Sequence, residues 1–258
     1  MDILKTQHLD GGMTERQFAV AGANGPVPGM LWTASDVSGA TPLILLGHGG
    51  SGSKNAANIL DARDYFTGRC GIATAAIDGP AHGDRGPVTT TEHPEYTAMW
   101  QRPRIIDDMN TDWAATLDAL LALGEFDANA VGFHGLSMGS MFGIPYVAAE
   151  SRIAVAVLGL CGYRGTSIDR SGIAGRLAED APRITCPLVY HVQWDDERFE
   201  RESAFELYGQ IASVDKRLQS TPGGHGGISA EGRDTLRAFL VTRLEALHAG
   251  APEAAAAR

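Results

Sequence analysis

Cysteine is scarce in this chain: Cys70, Cys161 and Cys186 are three in 258 residues, with no C-x-x-C pair among them. An odd, scattered set builds neither a disulfide framework nor a zinc site. The three read instead as small apolar residues of a protein kept reduced. Basic charge is also short, with 21 Lys and Arg against 31 Asp and Glu and a formal net charge of −10. Phosphate recognition needs a basic footprint, so a nucleic-acid binder is excluded. Docking on an anionic membrane surface is excluded for the same reason. No apolar stretch approaches the ~18 residues of a membrane span. The start, Met1-Asp2-Ile3-Leu4-Lys5, has no basic segment leading into an apolar one, so no secretory signal is expected. Together these absences predict a soluble, cytoplasmic protein.

What the chain has in excess is glycine, 32 residues or about 12% against a usual ~7%. The glycines are not periodic, which excludes collagen. They cluster at 47–52, 79–86, 132–143, 159–165 and 223–227. Apolar residues reach 44%, enough to bury a core.

Short strand patterns at 18–21 and 29–33 flank a turn-rich segment and predict an antiparallel hairpin. Uninterrupted apolar runs at 43–46, 72–78, 130–134, 153–160 and 187–192 suit strands buried on both faces, as in a parallel sheet. Helical spacing is predicted at 55–69, 105–123, 138–149, 200–212 and 231–247, and a last short strand at 216–220. Residues 1–14 read as a lead-in, 83–103 as a polar loop, 161–183 as a mixed loop with one short helix, and 249–258 as a frayed tail. An antiparallel start followed by repeated strand–helix units predicts one α/β domain over 1–258, with a mostly parallel sheet flanked by helices. The two loops of about 20 residues leave no room for a large lid.

Gly135-Leu136-Ser137-Met138-Gly139 fits G-x-S-x-G between a strand and a helix. Glycines there let the chain reverse sharply and hold the serine above the sheet. Helix capping by Ser137 is the structural alternative. A nucleophilic serine needs a base, and the base an orienting carboxylate. His225, set in Gly223-Gly224-His225-Gly226, has no packing role to fill and is the candidate base. Asp195 and Asp196 both follow the strand at 187–192, where catalytic groups gather in open α/β sheets. Asp196 is preferred, with Asp195 second. Two N–H donors are needed for an oxyanion: Met138, after the serine, and Gly50, with Gly49 beside it, in the first glycine loop. That loop lacks the order of a phosphate-binding loop. His48 is expected to orient it, and His134, ahead of the serine, to be a hydrogen-bonded core residue. Trp100, Tyr163 and Trp194, with Gly49, are the candidate pocket lining.

The order His48-Gly49-Gly50, Asp78-Gly79-Pro80-Ala81-His82-Gly83, Gly135–Gly139, Asp196 and Gly223–Gly226 resembles the α/β-hydrolase superfamily, in its dienelactone-hydrolase-like and prolyl-oligopeptidase-like serine esterase branch. The resemblance covers roughly residues 15–247 and implies an α/β-hydrolase fold. It implies Ser137 as nucleophile, Asp196 as acid, His225 as base, and Gly50 and Met138 as oxyanion donors. The Asp78–Gly83 segment is implied to be structural, beside the pocket. The chain departs from dienelactone hydrolases proper, which carry a cysteine nucleophile. The expected activity is hydrolysis of small to medium carboxylic esters, with no metal or cofactor and a small-molecule substrate as partner. Thioesterase or amidase action on the same residues, and a non-catalytic hydrolase-like binding protein, are the alternatives. Monomer and homodimer both remain open.

Overall fold

A computed structural model describes residues 1–35 and 39–250. Its elements, in chain order, are strands β1 (Asp2–Leu9), β2 (Met13–Gly22), β3 (Gly25–Ala34) and β4 (Thr41–Gly47), helix α1 (Ala57–Arg63), strand β5 (Ala73–Ile77), helices α2 (Pro94–Trp100) and α3 (Ile105–Leu121), strand β6 (Phe126–Gly135), helix α4 (Met138–Ala149), strand β7 (Ile153–Gly159), helices α5 (Thr166–Ser171) and α6 (Ala174–Asp180), strand β8 (Leu188–Gln193), helix α7 (Arg201–Gln210), strand β9 (Lys216–Thr221) and helix α8 (Ala230–His248). The strands form one nine-stranded sheet in the order β1-β2-β3-β5-β4-β6-β7-β8-β9. The first three and the β3–β5 pair are antiparallel, and every pair from β4 and β5 onward is parallel.

The apolar runs become the central strands because each side chain has a covered face to enter. In β4, Leu43 and Leu45 join the core under α3 and α4, while Ile44 and Leu46 join the core under α1 and α8. Each is fully buried, and burial of such a side chain stabilises by about 1.5–3 kcal/mol relative to exposure. Helix α3 turns Ile105, Met109, Trp113, Leu117 and Leu120 to the first core. Helix α8 turns Leu236, Leu240 and Leu244 to the second, and Ser229 caps its start by accepting the Gly232 N–H at 3.0 Å.

Four segments differ from expectation. Residues 2–9, read as lead-in, form β1, paired antiparallel with β2. It is an edge strand facing water on most of its length, so it has no apolar alternation to reveal it. The helix expected over 55–69 is α1 followed by one π turn over Asp64–Arg69; the widened turn brings the Thr67 hydroxyl to the Ile72 carbonyl and the Thr74 hydroxyl, both at 2.9 Å. The loop 83–103 holds α2, and 161–183 holds two short helices, α5 and α6. The tail expected to fray lies, from residue 251, outside the described residues. No helix among the described residues is long and apolar enough to cross a membrane.

Candidate active site

The glycines of the turn between β6 and α4 are there because backbone meets backbone. A Cβ on Gly135 would stand 2.5 Å from the Gly139 carbonyl oxygen, and one on Gly139 would stand 2.5 Å from the Gly47 carbonyl oxygen. Between them Ser137 has φ 59° and ψ −124°, a region that costs a non-glycine residue about 1–3 kcal/mol. Two contacts hold it there. The Ser137 N–H donates to the Gly159 carbonyl at 3.0 Å. The buried Ser140 hydroxyl donates to the Gly135 carbonyl and accepts the Gly159 N–H, both at 2.7 Å. Ser137 is the N-cap of α4 but its side chain makes no capping bond; the hydroxyl is turned elsewhere. Gly139→Val sets a branched side chain against backbone that cannot yield. The expected destabilisation is about 3 kcal/mol, the upper end for overpacking, and a fall in Tm of roughly 6–12 °C for a chain of this size. Scanning calorimetry checks it, and an unchanged Tm refutes the packing account.

The hydroxyl meets the histidine loop that follows β9. Ser137 Oγ lies 2.8 Å from His225 Nε2. His225 Nδ1 lies 2.8 and 3.0 Å from the two carboxylate oxygens of Asp196. With the ring proton on Nδ1 donated to Asp196, Nε2 is free to accept from the serine. The Asp196 carboxylate is buried, 3% exposed. Its Oδ1 also accepts the Arg198 and Phe199 N–H groups at 2.8 and 3.1 Å. Phe199 stacks on the imidazole with ring centroids 5.7 Å apart. Asp195 does a different job: its exposed carboxylate accepts the Gly223 N–H at 3.2 Å, and its own N–H donates to the Gly223 carbonyl. Glu197 accepts the His225 N–H at 2.9 Å, and this bond holds its carboxyl below the usual range.

Sequence reasoning passed over Gln193 and Ser140. The Gln193 amide, fully buried at the end of β8, donates to the Gly224 carbonyl at 3.1 Å and pins the histidine loop from beneath. Ser140 ties the elbow to β7. A polar residue in an apolar run was the only signal for either, and it did not specify a partner.

The first glycine loop is set by two histidines. His48 donates from Nδ1 to the Gly49 carbonyl at 2.8 Å and accepts the Gly79 N–H at Nε2, also at 2.8 Å. The peptide is planar and trans, so holding the Gly49 carbonyl aims the Gly50 N–H to the opposite side. His82, fully buried, lies with its ring nitrogens 2.8 and 3.0 Å from the carbonyls of Pro80 and Gly50. A Cβ on Gly50 would meet Thr91 and Tyr96 at 2.9 Å. Among the described residues neither the Gly50 nor the Met138 N–H has an acceptor. Beneath the loop, buried Lys54 donates from Nζ to Asp78 and Asp84, both at 2.7 Å, and from its N–H to Asp78 at 2.8 Å. This ties the Asp78–Gly83 segment to the loop.

Burial holds the His48 pKa down to about 4, and burial together with the Arg237 charge does the same to His134. Unfolded, each takes its proton near 6.5; folded, each stays neutral until about 4. Their stabilising contribution is therefore complete above about pH 6.5 and is lost as pH falls toward 4. At about 1.4 kcal/mol per unit, the unfolding free energy is expected to drop by a few kcal/mol over that window. Urea titrations at pH 7, 5.5 and 4.5 check it; a flat profile would falsify the neutral assignment.

A cavity of about 330 Å³ opens at Ser137 and runs between α1 and α8. Gly49 and Gly50 line it, as does His225. The three expected aromatics do not. Trp100 is buried, stacked on Phe142 at 4.6 Å. Tyr163 packs against the core on the α4 side of the sheet. Trp194 is half exposed, under the Arg201 guanidinium at 4.2 Å. Each follows a strand or helix end, but the contacts around it turn it away from Ser137. The walls are instead Ile59 and Ala62 from α1, Leu136, and Leu236 from α8. His134 also lines the cavity, half-buried and edge-on to Phe66, with no hydrogen bond from another described residue. It is not the hydrogen-bonded core histidine expected.

No protein-family model and no curated relative matches the chain. Solved structures do. A cold-adapted esterase from an Arctic intertidal metagenomic library is 32% identical, with 94% of this chain and 99% of that chain covered and a TM-score of 0.83. An acetyl xylan esterase from Paenibacillus sp. R4 shares the fold at 17% identity, covering 94% and 90% of the two chains with a TM-score of 0.74. A prolyl endopeptidase shares it at 15% identity, with 91% of this chain but 39% of that one and a TM-score of 0.69.

Proposed function

Since this chain belongs to the esterases of the α/β-hydrolase family, we propose that it hydrolyses carboxylic esters of small to medium acyl chain in two acyl-transfer steps. The observation that carries the reading is the unbroken line of contacts from Ser137 Oγ through His225 to Asp196, at 2.8 Å each. In the first step His225 Nε2 takes the hydroxyl proton as Ser137 attacks the ester carbonyl. The developing oxyanion accepts hydrogen bonds from the Gly50 and Met138 N–H groups, which have no other acceptor among the described residues. His225 then passes the proton to the alcohol, which departs and leaves an acyl-serine. Water enters, gives its proton to His225, and attacks the acyl carbon. The collapse returns the proton to Ser137 and releases the acid. Asp196 keeps the Nδ1–H tautomer throughout and offsets the imidazolium charge.

The acyl limit follows from the cavity. About 330 Å³ lies at the small end of ligand pockets, so acetyl and butyryl esters fit and long acyl chains do not. One sheet running from Asp2 to Thr221 supports action as a single domain. Three free cysteines support residence in a reducing compartment such as the cytoplasm.

A fluorophosphonate probe tests the reading directly. It is expected to modify one residue, Ser137, and a peptide map identifies it. Failure to label folded protein favours the non-catalytic alternative. A parallel panel of p-nitrophenyl acetate, butyrate and laurate is expected to show turnover falling steeply at laurate; thioester and amide analogues in the same panel separate the ester reading from its alternatives.

A further inference from the structure

The cavity at Ser137 is lined by both apolar and cationic side chains. Its apolar walls are Ile59, Ala62, Leu136 and Leu236. Its polar lining beyond Ser137 and His225 comprises the His134 imidazole, the guanidiniums of Arg237, Arg233 and, beside Thr91, Arg198, and the side chains of Ser51 and Asn58. No Asp or Glu lines it, in a chain whose net charge is −10. Arg237 is the most buried of the three arginines, with 7% of its side chain exposed. Its Nη2 donates to Asp61 at 2.5 Å, and Asp234 stands 3.8 Å from its Nη1, beyond hydrogen-bonding distance. Asp61 is also the carboxylate facing Arg233, at 3.7 Å, so two guanidiniums share it. Arg237 therefore retains donors at Nε and Nη1 with no acceptor among the described residues. The His134 ring makes no hydrogen bond to another described residue and stands edge-on to Phe66.

We propose that Arg237 and His134 form a carboxylate-binding subsite, so that the preferred ester carries a carboxylate joined to the scissile group by a short apolar spacer. The proposal rests on the esterase reading of Ser137. The physical argument is one of unpaired groups. A purely apolar ligand end would cover these donors without pairing them, at about 1–3 kcal/mol each. A carboxylate satisfies both, and the planar guanidinium suits its two oxygens. His134 stays neutral at ordinary pH because burial and the neighbouring Arg237 depress its protonation. It thus offers an N–H without adding a second repelling cation. The apolar walls take the spacer.

The test compares matched esters on the wild-type enzyme. One arm places the carboxylate on the acyl side, as monoethyl glutarate and monoethyl adipate against ethyl butyrate and ethyl hexanoate. The other places it on the alcohol side, as 4-acetoxybutyrate against butyl acetate. In one arm kcat/KM is expected to favour the anionic ester tenfold or more, with the preference shrinking as salt is added. In Arg237→Gln and, separately, in His134→Phe, the anionic-to-neutral ratio is expected to fall at least tenfold. His134→Phe keeps the ring against Phe66 and the Arg237–Asp61 pair, so it serves if Arg237→Gln fails to fold. Calorimetric titration of Ser137→Ala with glutarate and adipate reads the subsite without turnover. Millimolar or tighter binding that is lost in the Ser137→Ala, His134→Phe double variant is expected. Preference for the neutral ester in both arms, an unchanged ratio in the variants, or no diacid binding to Ser137→Ala each overturns the subsite. Hydrolysis of neutral esters with none of these effects leaves the esterase reading standing, whereas silence toward every ester and toward the fluorophosphonate probe removes that reading instead.

Discussion

Ser137→Ala is expected to lower kcat on p-nitrophenyl butyrate by about a millionfold, the loss seen when the nucleophile of such a unit is deleted. The size follows from what the side chain supplies. Ser137 Oγ is the hydroxyl held 2.8 Å from His225 Nε2, and under the proposed mechanism no acyl-enzyme forms without it. On the proposed mechanism, what survives is water attacking a carbonyl held by the Gly50 and Met138 donors, with His225 as base. The fold has little reason to suffer. Alanine keeps the Cβ in the same φ 59° conformation, and the backbone bonds of Ser137 to Gly159, Ser140 and Met141 remain. One hydrogen bond to a half-buried imidazole is lost, worth about 1 kcal/mol. A Tm within a few degrees of wild type, beside the lost turnover, is therefore the expected pair of results. Wild-type kcat in folded Ser137→Ala protein refutes the assignment, whereas a collapsed Tm refutes the packing account of the elbow.

Asp196→Asn should reduce kcat by about 10⁴-fold, while Asp195→Asn should change it only a few-fold. The contrast comes from the acceptors each carboxylate serves. Asp196 Oδ1 accepts two backbone N–H groups, from Arg198 and Phe199, at 2.8 and 3.1 Å. An asparagine satisfies them only by keeping its carbonyl oxygen there. Its NH₂ then faces His225 Nδ1, which must become an acceptor. The ring proton moves to Nε2, toward Ser137, and the imidazole no longer takes the hydroxyl proton. Asp195 is exposed and accepts a single loop N–H at 3.2 Å, so its loss loosens the histidine loop without changing the tautomer. Steady-state kinetics on both variants at neutral pH decide between them. If Asp195→Asn carries the large loss and Asp196→Asn the small one, the acid is Asp195.

The same region shows how far local sequence reached. The strands were legible wherever an apolar run fills two covered faces, as in β4 and β7, and illegible in β1, whose partner is one strand and whose faces are water. Gly135 and Gly139 were legible because a missing Cβ is a local mark of close backbone approach. The acid was legible as a pair with Asp196 preferred: Asp195 and Asp196 are neighbours in one loop, and which carboxylate turns inward is set by the Arg198 and Phe199 N–H groups and by His225. The aromatic pocket was misread for a related reason. Trp100 and Trp194 are large and near element ends, but Phe142 and Arg201 decide where their rings lie.

By itself, then, the amino-acid sequence determined the α/β class, the order of strands along the chain, the sharp turn at Ser137 and the glycine setting of His225. These depend on side-chain volume, polarity and backbone freedom within a few residues. Tertiary structure alone decided that Asp196 faces the imidazole, that Gln193 braces the histidine loop, and that the cavity is lined from α1 and α8 by Ile59, Leu236 and Arg237. Ser137 and His225 meet across 88 positions, and Asp61 and Arg237 across 176. Contacts of that span are selected by the packing of whole elements against the sheet, and the direction of a loop side chain is settled only once those elements are in place.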